Sequence, residues 1–153
     1  MKSNDQSTYT ASHDGTFFAI GLNYKKADAE IRGHFSISEA AQKSILIAAQ
    51  AMGISSLTLI STCNRTELYG FANQAKDLIK LLCEHTQGTI SQFEKVAYVH
   101  QDQQAVSHLF KVGTGLDSQI LGDFEIISQL RNSLRRSKKM GMLNVYMERL
   151  GNA

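Results

Sequence analysis

The chain contains no proline in 153 residues, where an ordinary domain carries about 5%, and nothing in the sequence supplies a physical reason for that. Cysteine is nearly absent too. Cys63 and Cys83 lack metal-type spacing and agree with a reducing compartment. A zinc site drawn from Cys63, Cys83, His85 and His100 would lack the close ligand pair that anchors structural zinc, so no metal is expected. No apolar run approaches the length needed to span a bilayer, and the first fifteen residues are polar without an apolar signal core. Neither membrane insertion nor secretion is expected, and the protein reads as cytoplasmic. No Gly-x-Gly-x-x-Gly fingerprint follows a strand, so no dinucleotide-binding unit is expected in this chain. The net charge of +2 is too small to advertise nucleic-acid binding by itself. With 42% hydrophobic and 20% charged residues, the chain has the composition of one ordinary globular domain.

What is present is concentrated in Ser61-Thr62-Cys63-Asn64-Arg65-Thr66-Glu67-Leu68. Leu57 to Ile60 is apolar and partly β-branched, and Glu67 to Phe71 alternates polar with apolar, so Cys63 falls in a tight connection between two strands. A thiolate is the strongest nucleophile among ordinary side chains, and a nearby guanidinium raises its population at neutral pH. Arg65 is placed to supply that charge, or to clamp a substrate carboxylate with its planar fork. Glu67 competes with both roles, because it can pair with Arg65. Against all of this, a free cysteine is more often a small buried hydrophobe than a nucleophile. Cys83, in Leu81-Leu82-Cys83, reads as such a residue on a helix.

The remaining pattern organises the chain. Residues 1–14 are polar and aperiodic and read as a weakly ordered tail. Phe17 to Leu22 reads as a first strand. Ser36-Ile37-Ser38-Glu39 reads as a capping box opening a helix with Ala41, Ile45, Ala48 and Ala49 at helical spacing. A second helix is expected over about Gln74 to His85, a strand at Val96 to Val99, and a third helix capped by Asp102 and carrying Ala105, Val106, Leu109 and Phe110. The short spacing around Cys63 favours an antiparallel sheet with helices on one face. From Asp123 to about Lys139 the chain reads as a long, partly amphipathic helix, where Arg131, Arg135, Arg136, Lys138 and Lys139 are crowded; a solvated face explains such a run more often than an RNA contact does.

The cysteine segment resembles the signature of the glutamyl-tRNA reductase family, and three further segments are similar in the same order. These are Gly21-Leu22-Asn23-Tyr24-Lys25-Lys26-Ala27 with Arg32, Val106-Ser107-His108-Leu109-Phe110, and Gly115-Leu116-Asp117-Ser118-Gln119-Ile120-Leu121-Gly122. The match runs from about residue 17 to residue 150. Two departures stand out. Gly122-Asp123-Phe124-Glu125 takes the place of the family's usual glycine, glutamate, proline, glutamine, and the opening loop has Tyr24-Lys25-Lys26-Ala27-Asp28 where histidine, lysine and then proline are usual.

The resemblance implies a ferredoxin-like α+β fold and the catalytic part of an enzyme that reduces the glutamyl ester on tRNA to glutamate-1-semialdehyde with NADPH, in tetrapyrrole synthesis. It implies Cys63 as the nucleophile that forms a thioester and His108 as the residue that polarises the carbonyl or shuttles a proton. Recognition of glutamate would draw on Arg65 for the carboxylate, Asp123 or Glu125 for the ammonium, and Thr62, Asn64, Ser118 and Gln129 for neutral hydrogen bonds, with Phe124 beside them. It also implies a domain order: a tail at 1–14, a catalytic domain at 15–122 and a basic spine helix at 123–153, with the NADPH-binding and dimerisation domains elsewhere. The partners implied are glutamyl-tRNA(Glu), a second copy of the parent enzyme and the downstream aminomutase, and no membrane. Two alternatives stand beside this reading: a thioester-forming esterase fragment, and a non-catalytic RNA-binding or regulatory module built on the basic helix.

Overall fold

The computed structural model of the protein describes residues 15–115 and 124–152, the side chain of Phe124 excepted. In chain order its elements are β1 (Thr16–Asn23), α1 (Ala29–His34), α2 (Glu39–Ala51), β2 (Leu57–Ser61), β3 (Arg65–Ala72) and α3 (Ala75–Glu84). There follow α4 (Ile90–Val96), β4 (Tyr98–Gln101), α5 (Gln103–Gly113), α6 (Phe124–Lys139) and α7 (Val145–Asn152). The strands form one sheet in the order β2-β3-β1-β4, and each neighbouring pair is antiparallel. β3 lies between β1 and β2, and β1 lies between β3 and β4, which is the split βαβ pattern of ferredoxin-like folds. The expected antiparallel α+β architecture, followed by a long helix, is thus present.

Both central strands are buried along nearly their whole length, so each face of the sheet needs cover. On one face Phe18, Ile20, Leu22, Leu59 and Leu68 pack against Ile45 of α2, Leu81 and Leu82 of α3, and Phe93 of α4. On the other, Phe17, Ala19, Ile60, Tyr69 and Phe71 meet Leu109 and Val112 of α5, Ile126 and Leu130 of α6, and Met147 of α7. The sequence reading foresaw helices on one face; the second helical layer is additional. Each fully buried Leu or Ile contributes about 1.5–3 kcal/mol, so neither layer is decorative.

Local chemistry sets the boundaries. Ser38, two residues beyond the first residue of the expected capping box, is the N-cap of α2, its side chain accepting from Ala41 N–H at 3.1 Å. Asp28 and Thr89 cap α1 and α4, short helices that the apolar periodicity did not reveal. The segment before residue 97 is therefore helix, and the last strand is shifted to Tyr98–Gln101. At the end of α6, Met142 N–H reaches Ser137 O at 2.8 Å and Gly141 N–H reaches Lys138 O at 3.1 Å, with Gly141 at φ 71°. This is a Schellman closure, which needs a residue in the left-handed region and finds glycine there.

The closure turns the chain back onto the domain. Met142 is buried in the first core, its carbonyl accepts from Leu57 N–H at 2.9 Å, and Asn144 N–H donates to Ser56 Oγ at 3.1 Å. Residues 124–152 are accordingly packed into the same body as the sheet, across the boundary expected at 122/123.

Candidate active site

Cys63 is exposed at the tip of the β2–β3 connection. The turn is tight and pinned from several sides. Thr62 N–H bonds Arg65 O at 2.8 Å, and Asn64 N–H bonds Thr62 Oγ1 at 3.2 Å. From the β1–α1 loop, Tyr24 N–H donates to Asn64 O at 3.0 Å. From α1, Arg32 donates through Nε to Cys63 O at 3.0 Å and through Nη1 to Ala27 O at 2.6 Å. Ser61 Oγ, accepting from Ile37 N–H at 3.0 Å, ties the base of the turn to the start of α2. The thiol is thus presented to solvent while the backbone beneath it is held by three separate segments.

Below the turn, period-2 alternation puts Arg65, Glu67 and Tyr69 on the α5 side of β3. Arg65 and Glu67 are 1% and 0% exposed, and their side chains meet at 3.3 Å. Glu67 is the centre of a network: its Oε1 accepts from Tyr69 OH at 2.5 Å, and its Oε2 takes Arg65, the Tyr98 hydroxyl and His108 Nε2, the last at 2.5 Å. Burial pushes the Glu67 carboxyl up, but the His108 bond and charge, then Arg65 and Tyr69, outweigh it and hold the group below its ordinary value. An ionised carboxylate only accepts, so in this bond His108 Nε2 is the donor. Burial, with the Glu67 charge beside it, pushes the Tyr69 phenol well up and keeps it a donor.

The space for this network comes from β1. Glu67 and Tyr98 are both register partners of Gly21, and Tyr69 and His100 are both partners of Ala19. A Cβ on Gly21 would lie 2.3 Å from Thr66 O and 2.8 Å from Glu67 Cγ. Small residues on the central strand let large polar side chains from β3 and β4 cross over it and touch. The His108 ring then packs 4.9 Å from Tyr98 and 4.8 Å from His100.

Of the residues singled out in the sequence, Thr62, Cys63 and Asn64 come together in the turn, and Arg65 and His108 come together through Glu67. Arg65 pairs with Glu67, one of the arrangements left open. Gln129 is half-buried on α6, which packs against β2, and Glu125 is exposed in the first turn of α6. Ser118 and Asp123 lie outside the described residues, as does the side chain of Phe124. Tyr69, Tyr98, His100 and Gly21 were not picked out as site residues; only the alternation along β3 could have flagged Tyr69. Cys83 is half-buried on α3, and burial with Glu84 nearby pushes its thiol up, away from reactivity. In the basic segment Arg136 bonds Gln42 and lies 3.9 Å from Glu39, and Lys138 pairs with Glu148 at 3.0 Å, so part of that charge is used within the domain. Among the described residues no group of three or more His, Cys, Asp or Glu side chains stands where it would hold a metal, and no helix is long and apolar enough to cross a membrane.

A family model described as glutamyl-tRNAGlu reductase, N-terminal domain, matches residues 20–153. A glutamyl-tRNA reductase of Christiangramia forsetii is 61% identical over 145 residues, covering 95% of this chain and 35% of that protein. One from Flavobacterium psychrophilum is 60% identical over 144 residues, covering 94% and 35%. The solved structure of glutamyl-tRNA reductase from Methanopyrus kandleri has the same fold over 89% of this chain and 31% of its own, with a TM-score of 0.73 at 24% identity. The chain spans about a third of the length of the curated relatives it matches.

Proposed function

Since the chain belongs to the glutamyl-tRNA reductase family, as its N-terminal catalytic domain, we propose that it carries out the acyl-transfer half of that reaction, with Cys63 as nucleophile. The observation that carries this reading is the Cys63 turn itself: an exposed thiol on a backbone pinned from β1–α1, α1 and α2, directly above the Arg65–Glu67–His108 network.

In the proposed step the Cys63 thiolate attacks the ester carbonyl of glutamyl-tRNA. A carbon–sulfur bond forms, the bond from that carbon to the terminal ribose oxygen breaks, and the departing oxygen takes a proton. Sulfur donates less electron density to the carbonyl than an ester oxygen does, so the thioester is the better hydride acceptor. His108, oriented by Glu67, is assigned the proton transfer. Thr62, Asn64, Ser118, Asp123, Phe124, Glu125 and Gln129 are carried forward as contacts to the glutamyl group. Arg65, expected to clamp the substrate carboxylate, is buried against Glu67 and takes that role only if the turn above it opens.

The described residues do not fit NADPH. Their sheet is antiparallel throughout, and it lacks the crevice at the carboxyl ends of parallel strands in which dinucleotides sit. We assign NADPH, a dimeric parent enzyme and transfer of the aldehyde to the aminomutase to the parts of the relatives outside the matched third.

Mass spectrometry of the chain mixed with glutamyl-tRNA, without NADPH, tests the proposal. A glutamyl adduct mapped to Cys63, absent in Cys63→Ser, is expected. No adduct, with equal release of glutamate by both proteins, would remove Cys63 from the chemistry.

A further inference from the structure

The end of α1, the start of α2 and the end of α3 meet at an open polar groove of about 390 Å³, and none of its lining residues belongs to the Cys63 turn or the Glu67 network. One wall comes from residues 33–41 and the other from residues 85–87. The two walls are fixed to each other. Gln87 N–H donates to His34 O at 3.0 Å, and Gly88 lies so close to the buried Phe35 ring that a Cβ there would stand 2.2 Å from it. The shape of the groove is thus set by packed backbone.

Two imidazoles line it, and bonds made outside the groove decide which nitrogen each one offers. Gln92 is oriented by the capping box of α4, its Oε1 accepting from Thr89 N–H at 3.2 Å, so its amide N–H donates to His34 Nδ1 at 3.2 Å. With Nδ1 accepting, the ring proton of His34 is on Nε2. His85 Nδ1 meets Leu81 O at 2.7 Å, and because a carbonyl only accepts, Nδ1 is the donor there and Nε2 is the nitrogen left for a ligand. Thr86 Oγ1 is used within the fold, donating to Leu82 O at 2.8 Å and accepting from Gly88 N–H at 3.3 Å. Ser38 Oγ accepts from Ala41 N–H and keeps its own hydrogen to give, while Ser36 and Gln87 are exposed.

These assignments select a ligand class. The lining contains no carboxylate, so a cation finds no opposite charge. A metal ion is disfavoured as well, because the nitrogen that His34 offers carries a proton and a metal ligand cannot. What the walls present in common is donors: His34 Nε2–H, the Ser36 and Ser38 hydroxyls and the Gln87 amide. They are gathered at the N-terminal end of the 13-residue α2, where the helix dipole adds to the preference for negative charge. Donors converging from two walls match a group with several acceptor oxygens, and a phosphoryl group presents three of them.

We propose that this groove is a phosphoryl-binding site, taking either inorganic phosphate or the phosphate end of a small monoester, with His34, Ser36, Ser38 and Gln87 as donors and His85 beside them. The proposal stands apart from the assignment of Cys63 as nucleophile, and neither depends on the other.

The test is a titration of the 153-residue chain at fixed pH and ionic strength with inorganic phosphate, with glycerol 3-phosphate and with acetate, following the imidazole signals of His34 and His85 in NMR spectra. Both histidines are expected to shift on one saturation curve with phosphate, with the ester or with both, at a Kd of about 1 mM, the value that four hydrogen bonds of ordinary strength supply. Acetate should leave them nearly in place. Ser36→Ala and Gln87→Ala, substitutions at exposed positions that keep both probes, should each weaken binding about 3- to 10-fold while the urea midpoint is unchanged. Tighter binding of the ester than of phosphate would identify a monoester as the ligand, and equal or weaker binding of the ester the free ion. Shifts as large with acetate, a response that does not saturate with either phosphate compound, or binding equal to wild type in both variants would each overturn the proposal.

Discussion

Glu67 takes four donors on two oxygens while buried, an arrangement that is stable only as long as the carboxylate stays ionised and every donor stays in place. Replacing it by glutamine keeps the shape, but turns a second set of donors toward Arg65, Tyr98 and His108 and removes the negative charge that lies 3.3 Å from the buried Arg65 guanidinium. Breaking a buried pair from one side costs about 3–5 kcal/mol, and Glu67→Gln is expected to lower the urea midpoint accordingly. The pH dependence gives a sharper reading. Burial raises the Glu67 pKa, and His108, Arg65 and Tyr69 together lower it further, so the folded value lies below the ordinary 4.5. A carboxyl with a depressed folded pKa adds stability above its unfolded pKa, and that stability is lost as the pH falls through the folded value. Wild type should therefore lose stability on acidification below about pH 4.5, and Glu67→Gln should show a flatter acid limb in urea midpoints measured between about pH 3 and 7. An acid limb equally steep in both proteins would show that Glu67 does not set it.

At the scale of elements, the strand β1 decides whether that network can exist. Its Ala19 and Gly21 face the α5 layer, and their small size leaves the room through which Glu67 meets Tyr98. Gly21→Ala would bring a methyl group within 2.3 Å of Thr66 O, a backbone atom that cannot move aside without shifting β3. The expected cost is about 1–3 kcal/mol, together with a loss of the Tyr98–Glu67 contact, seen as a changed Tyr98 ring signal in NMR spectra with the exposed Cys63 still titratable by a thiol reagent. An unchanged Tyr98 signal would mean that the crossing does not depend on Gly21. This is also where the reach of the sequence ends. The turn carrying Cys63 and the same-face placement of Arg65 and Glu67 are local properties of strand alternation, and they are legible. That Tyr98 and His108 complete the site depends on which strand pairs with β1 and on the face α5 presents, which no local pattern encodes. The cap at Ser38 was missed for a related reason, since Ser36 and Glu39 offered an equally good local signal.

For the whole molecule, the unexpected feature is the fate of the C-terminal segment. Its apolar stripe of Ile126, Leu130 and Leu134 is visible in the sequence, but the family resemblance implies a spine leading onward and the charge a solvated face, and the partner of the stripe is not legible. In the structure Ile126, Leu130 and Met147 complete the core on the α5 side, while Met142 enters the opposite core beneath β2. A chain cut after Gly122 would keep all four strands and the Cys63 turn. It would also strip Phe17, Ile60 and Phe71 of the part of their cover that α6 and α7 supply, Ile126, Leu130 and Met147, leaving only α5 on that face. Burial of side chains this size is worth about 1.5–3 kcal/mol each, and a domain's whole stability is only about 5–15 kcal/mol, so the truncated chain should have no margin left. The expected outcome is the loss of a cooperative urea transition and strong binding of an apolar dye at concentrations where the 153-residue chain binds little. If residues 123–153 instead behave as an independent spine, the truncated chain will unfold cooperatively at the same midpoint as the full one. In that case the boundary at 122/123 is the correct division, and the packing of α6 and α7 adds nothing to the stability of the sheet.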